Sequence, residues 1–223
     1  MSEDLLFEKN LDCLRERFIK YTRKAFQMLP KLKKPYILDV GCGSGSPTIE
    51  LAKLSDGEII GIDIDQSKLD RLNRKIEEEG FLGRVKTVKC SLLEMDFPDE
   101  SFDIIWAEGS IRIIGFEQSI KKCKQLLKPK GYLVIHGAIN IISNELKKLN
   151  SWGYKLIDQI SLPEDAWWTE FYEPLEIRIK ELYMEYKKNY KVLKMLKKYQ
   201  TEIAMVKRNP KEYCSAFYII QKS

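Results

Sequence analysis

Three glycines spaced by single residues, Gly41, Gly43 and Gly45 in "GCGSGSP", are followed 22 positions after Gly41 by Asp63. Glycine in such a turn permits positive φ and removes the Cβ that would keep a ligand from bare backbone. A carboxylate at that distance can accept both hydroxyls of a ribose. Together they point to a nucleoside-type ligand. Further along, Glu108 in "WAEGS" and His136, the single histidine, are the candidate proton-transfer groups. Each has a structural alternative: Glu108 as an acid that fixes a loop, His136 as a hydrogen-bonded framework residue. Trp167, Trp168, Phe171 and Tyr172 crowd "EDAWWTEFYEP". At i,i+4 spacing they could roof a cationic ligand, whose charge ring faces favour, or simply pack a core.

These residues need a frame, and the pattern supplies one. Tyr36–Val40, Glu58–Asp63, Val85–Cys90, Phe102–Ala107 and Tyr132–His136 read as strands. Residues 48–54, 67–79 and 116–127 read as the helices between them, with Gly80 as a left-handed stop and Pro129 ending the last. Alternating strands and helices imply right-handed βαβ units and a mostly parallel, doubly wound α/β sheet. Residues 4–29 read as one amphipathic helix carrying Leu5, Leu6, Leu11, Leu14, Phe18, Tyr21, Ala25 and Phe26. Beyond Ala138 the regularity weakens: a helix over 143–149, a turn and strand over 152–162, a long helical stretch from Trp167 to about Arg208 that allows one break, and a last strand over 214–221. With no repeat and no low-complexity linker, one domain is expected, with a helical cap over 1–34, a core over 35–140 and an elaboration over 141–223.

The turn also excludes ligands. No Gly-Lys-Ser/Thr follows it, so it is not a P-loop, and Ser46 stands where the dinucleotide fingerprint needs glycine. Ser46 is the expected N-cap of the following helix and Pro47 its first residue. The five cysteines are scattered without a CxxC pair, and with a single histidine no metal cluster is expected. No apolar run approaches the roughly 20 residues of a membrane span. The N-terminal "MSEDLLFEKN" has acids where a signal peptide has bases, so a cytoplasmic protein is expected.

"LDVGCGSG", "GIDID" and "FPDESFDIIWAEGSI" resemble the successive motifs of class I S-adenosylmethionine-dependent methyltransferases, most closely the small-molecule branch of the ubiquinone/menaquinone C-methyltransferases. The likeness is specific over about residues 36–140 and extends thinly through "LPEDAWWTEFYEPLE". It implies a Rossmann-like sheet of seven strands with the last antiparallel. It also implies that Asp39 and the turn residues Gly41, Cys42, Gly43 and Gly45 face the methionine part of S-adenosylmethionine or S-adenosylhomocysteine. Asp63 would hold the ribose, Ile64 would pack on the adenine, Ser91 and Leu92 would lie at the adenine edge, and Ala107 would offer its carbonyl to the ammonium. Many members carry an acid at the position of Ser91. Such a ligand has no phosphate, which suits a turn without a lysine.

The implied reaction is methyl transfer to a small-molecule acceptor by in-line displacement. Its leaving group is already good, so most of the catalysis can be positioning, and a base is needed only if the acceptor must lose a proton. Ser110, Trp167, Trp168 and Tyr172 are the expected acceptor-pocket residues, beside Glu108 and His136. No Asn/Asp-Pro-Pro-aromatic motif follows the fourth strand, which counts against transfer to an adenine or glutamine amide nitrogen. From Phe171 to Lys211 there are eleven Lys/Arg against five Asp/Glu. That excess leaves an RNA or protein methyltransferase as one alternative. A non-catalytic S-adenosylmethionine-binding protein and a nicotinamide oxidoreductase are the others. Neither the acceptor nor the oligomeric state is written in the sequence.

Overall fold

The computed structural model describes residues 3–223, with side-chain surroundings from Phe7 onward, so Leu5 and Leu6 lie outside the described side chains. The chain groups into two compact units. One comprises Ile19–Ser161 and Ala216–Ser223; the other comprises the chain up to Phe18 together with Leu162–Ser215. The N-terminal helical segment is thus divided between units, and residues 141–161 group with the sheet.

The helix expected over 4–29 is interrupted. α1 spans Glu3–Arg15, a 3-10 turn follows at Glu16–Phe18, and α2 spans Ile19–Gln27. The unit boundary falls at that turn. The strands and helices of the sheet unit then alternate: β1 Tyr36–Val40, α3 Ser46–Leu54, β2 Glu58–Asp63, α4 Gln66–Glu78, β3 Val85–Lys89, β4 Phe102–Glu108, α5 Ile111–Ile114, α6 Phe116–Leu126, β5 Leu127–Ala138, α7 Ile139–Leu146 and β6 Tyr154–Ser161. α8 Glu173–Glu185 and α9 Tyr190–Arg208 belong to the other unit, and β7 Ser215–Lys222 ends the chain.

The strand order is β3-β2-β1-β4-β5-β7-β6. β1 to β5 run parallel, and β7 pairs antiparallel with β6. β5 is longer than expected: it begins at Leu127 directly after α6, so Pro129 lies inside a strand rather than past a helix end. α7 begins four residues before the helix expected at 143, and Leu149–Trp152 is a 3-10 turn.

Period-two alternation gives the sheet two apolar faces. Leu38, Val40, Ile60, Ile62, Ile105, Ala107, Leu133, Ile135, Tyr218 and Ile220 share one buried cluster. The opposite face carries Ile37, Ile59, Ile104, Trp106, Val134 and Phe217, all buried. Trp106 packs there against Phe26 of α2 and Phe217 of β7, with ring centroids 6.2 and 5.9 Å apart.

One side chain braces the far end of this frame. Arg84 donates to the carbonyls of Ala52, Ser55 and Gly57, at 2.9, 3.0 and 2.9 Å. It therefore satisfies the end of α3 and the entry to β2 together. Five fixed guanidinium donors make this possible.

The second unit packs its own core. α1 meets α9 and the segment before α8, with Phe7 edge-on to Tyr186 at 6.0 Å. α8 and α9 form an antiparallel pair tied by Lys207 to Glu176 at 2.6 Å and by Tyr183 to Gln200 at 3.1 Å. The single break in the long helical stretch lies between them, where the Asn189 side chain caps α9 by accepting from the Val192 N–H.

Candidate active site

The glycine turn closes on β2. The Gly41 and Cys42 N–H groups both donate to the Ile62 carbonyl, at 2.8 and 3.0 Å, and the Gly43 N–H donates to Asp63 Oδ2 at 3.0 Å. Asp63 Oδ1 accepts from the Asp65 N–H at 2.9 Å. The carboxylate therefore sits at the carboxyl end of β2 in a fixed orientation, each oxygen holding one backbone donor and keeping lone-pair capacity for another. All three turn glycines have positive φ, and two differ in what a side chain would meet. A Cβ on Gly41 would fall 2.5 Å from Ser110 Cβ, whereas a Cβ on Gly43 would meet nothing within 4 Å. The Cβ side of Gly41 is therefore closed by Ser110, although the residue is otherwise exposed, whereas the Cβ side of the half-buried Gly43 faces open space, where a ligand can come close.

The N-cap of α3 is Gly45, with φ 84°, and not Ser46, which lies inside the helix; Pro47 is in the first turn as expected. No side chain caps this end, so its N–H groups border the turn uncapped. Cys42 is buried, and burial holds its thiol well above the ordinary range, so it lines the turn as an apolar group. Ile64 follows Asp63 and is 71% exposed, an apolar side chain beside that carboxylate. Leu92 is buried, and Ser91 Oγ accepts from the Leu93 N–H at 3.4 Å.

Register places three of the expected residues, Asp39, Glu108 and His136, on one face with Trp106. Asp39 pairs with Trp106, and Glu108 pairs with His136. In-register neighbours on parallel strands share a face, and Trp106 and Glu108 share theirs at i,i+2. Asp39 is 2% exposed and accepts from Thr48 Oγ1 at 2.6 Å. Burial pushes its carboxyl up to about 7, opposed by that hydrogen bond. Glu108 Oε1 accepts from Trp106 Nε1 at 2.8 Å and from Thr22 Oγ1 at 2.9 Å. Burial pushes Glu108 to about 7 against those two donors, and Asp39 adds to the rise. His136 stacks on Phe217, 4.4 Å between centroids at 19°, and burial lowers it to about 4. Ala107 is fully buried, and Ser110 commits its hydroxyl proton to the Val40 carbonyl at 2.6 Å, tying the β4 exit to β1.

Two participants escaped the sequence reading. Trp106 was legible as a same-face neighbour of Glu108. Thr22 was not, because nothing local links α2 to the tip of β4.

Trp167, Trp168, Phe171 and Tyr172 lie in the other unit. The backbone at Trp168–Tyr172 is a π turn, and of the expected i,i+4 pairs Trp167–Phe171 forms. Trp167 meets Tyr172 at i+5 (6.3 Å) as well as Phe171 (6.2 Å), and it donates to Ser215 Oγ at 2.9 Å. Trp168 instead takes Lys207 Nζ over its ring at 5.1 Å. Phe171 and Tyr172 are buried. Among the described residues no cluster of His, Cys, Asp or Glu could hold a metal ion, and no helix is long and apolar enough to cross a membrane.

A doubly wound sheet of this order, with a glycine turn after β1 facing an acid at the end of β2, has the architecture of a Rossmann-like methyltransferase. Residues 37–131 match the family described as a methyltransferase domain. Over that stretch, under half of the chain, it is similar to methyltransferase domains. It is 34% identical over 101 residues to the sterol 24-C-methyltransferase erg6 of Aspergillus fumigatus, covering 45% of this chain and 27% of that one. It is 30% identical over 123 residues to the 27-O-demethylrifamycin SV methyltransferase of Amycolatopsis mediterranei, covering 55% and 45%. The chain thus spans a quarter to under a half of these relatives. Among solved structures it resembles a methyltransferase of Thiobacillus denitrificans in complex with S-adenosylhomocysteine (TM-score 0.76, 17% identity, 92% of this chain and 91% of that one). It also resembles the [4+2]-cyclase SpnF (TM-score 0.77, 18% identity, 91% and 80%).

Proposed function

We propose that this protein transfers a methyl group from S-adenosylmethionine to a small-molecule acceptor and releases S-adenosylhomocysteine. The carrying observation is the Gly43–Asp63 hydrogen bond, which sets a glycine backbone with open space on its Cβ side beside an oriented carboxylate. That pair fits a nucleoside without phosphate: Asp63 would accept the ribose hydroxyls, Ile64 and Leu92 would bound an apolar adenine slot, and Ser91 would meet the adenine edge. Asp39, Gly41, Cys42, Gly45 and Ala107 would surround the methionine end. The named relatives act on a sterol and on a rifamycin, which supports a small organic acceptor.

Glu108 is the better candidate base. Its Oε1 is anchored by two donors, and its carboxyl, raised to about 7, stands near neutral pH, where a general base works best. His136, lowered to about 4, is the weaker base. Glu108 would take the acceptor's proton as the acceptor attacks the methyl carbon and the sulfonium bond breaks. Ser110, tied to the Val40 carbonyl, follows Glu108 at the exit of β4.

The test is incubation of the protein and S-adenosylmethionine with a metabolite library, reading S-adenosylhomocysteine release and product mass. Binding of S-adenosylhomocysteine without turnover on any acceptor would favour a second reading, a chain of this fold with other chemistry, which the cyclase neighbour makes concrete. Binding of NAD instead would overturn both.

A further inference from the structure

The lysine-rich segment is not used by the proposed reaction. Between Glu185 and Glu202 there are six lysines and no acid. α9 buries Val192, Leu196, Ile203 and Val206 against its own unit. At 100° per residue the opposite side presents Tyr190, Lys194, Lys197, Lys198, Thr201 and Met205, all exposed. α8 beside it buries Leu175, Ile179 and Leu182, and its opposite side exposes Ile177 and Met184 at 70% and 71% together with Lys180 and the acids Glu173 and Glu181, so the cationic part of the face is α9. The Glu176–Lys207 and Tyr183–Gln200 bonds hold the two helices side by side and antiparallel, so both solvent faces look outward together.

We infer that this two-helix face docks on an anionic phospholipid bilayer. Three features select that occupant. The charge is carried by lysines, whose point-like ammonium groups suit a fluid, unpatterned anionic plane better than bidentate recognition. Lys194 stands at i,i+3 to Lys197 and i,i+4 to Lys198, spacings at which like charges repel along a helix; Glu202 reaches only Lys198, at 3.9 Å, and an anionic plane relieves the rest of that repulsion. Side chains that water disfavours are interleaved with them: Tyr190 is 81% exposed and Met205 52%. Tyrosine belongs at a membrane interface, lysine stems can lie along it with their heads in the headgroups, and aliphatic chains gain there what a polynucleotide does not offer. The surface is long enough to matter, since the 19 residues of α9 extend about 28 Å.

The experiment is flotation of the full chain with vesicles of phosphatidylcholine alone or mixed with phosphatidylglycerol, at low and high salt, and with a single-stranded RNA oligonucleotide in parallel. The expected result is recovery with mixed vesicles only, falling with salt. Combining Lys194→Gln, Lys197→Gln and Lys198→Gln should weaken partitioning by roughly tenfold or more at low salt. Tyr190→Ser should weaken it at high salt as well. Unchanged circular dichroism would show that these exposed substitutions leave the fold intact. Equal binding to both vesicle types, no binding to mixed vesicles at low salt, or RNA bound more tightly than vesicles through the same lysines would each overturn the inference.

Discussion

Thr22 Oγ1 donates to Glu108 Oε1 at 2.9 Å, joining α2 to the tip of β4 across 86 positions of sequence. The same oxygen takes the Trp106 indole N–H at 2.8 Å. Two donors on one oxygen fix the carboxyl plane and favour its charged form.

Removing one donor should therefore move the titration of Glu108 upward. In Thr22→Val the acid limb of the turnover–pH profile should shift up by about one pH unit, while Thr22→Ser should restore it. A purely structural threonine would lower activity at every pH without moving the limb.

Glu108→Gln should lower turnover far more than affinity for S-adenosylhomocysteine. It should also change how stability depends on pH. Glu108 titrates near 7 when folded and near its ordinary value of 4.5 when unfolded. Between those values the folded state binds more protons, so this group makes stability fall as pH rises through that window. His136, lowered to about 4, acts oppositely, adding stability as pH rises from about 4 to 6.5. The variant should thus gain on the parent protein in melting temperature progressively from pH 5 to pH 8, by roughly a few degrees at most. A constant difference across that range would refute the raised carboxyl.

The two glycines should separate stability from binding. Gly41→Ala forces a Cβ against Ser110 at positive φ and should destabilise by about 3 kcal/mol. Gly43→Ala has room and should cost only about 1 kcal/mol, yet put a methyl where the ligand approaches. Calorimetry should then show Gly43→Ala folded but binding S-adenosylhomocysteine at least roughly tenfold more weakly; parental affinity would show that no ligand approaches there.

Asp63→Ala should weaken the same ligand by roughly a hundredfold, losing a charged acceptor for the ribose and the bond that orients Gly43. Asp63→Asn keeps an acceptor and should recover part of that loss.

What the sequence made legible follows the range of the forces involved. β1 and β2 occupy the spans their apolar runs imply, because strand formation and burial coincide there. The glycine turn and Asp63 were legible because short-range geometry constrains both. The cap at Gly45 was not, since Ser46 is an equally good local candidate and the positive φ of Gly45 decides between them. The 3-10 turn at Glu16–Phe18 was masked by a helical pattern that continues through it. The π turn at Trp168–Tyr172 adds the i,i+5 contact of Trp167 with Tyr172, which no periodicity rule anticipates. Thr22 is the sharpest case: a threonine in an amphipathic helix carries no mark of the carboxylate it will meet.

Arg84 works as a brace at the end of the frame opposite the glycine turn. α3 starts at the glycine turn and β2 ends at Asp63, while Arg84 grips the last turn of the helix and the entry of the strand. Helix and strand are the two legs of a caliper whose tips are Gly43 and Asp63. A caliper keeps its gap only if its pivot is tight. Arg84→Lys, which cannot hold three carbonyls in a fixed fork, should loosen the gap and weaken nucleoside binding from a position that never touches the nucleoside.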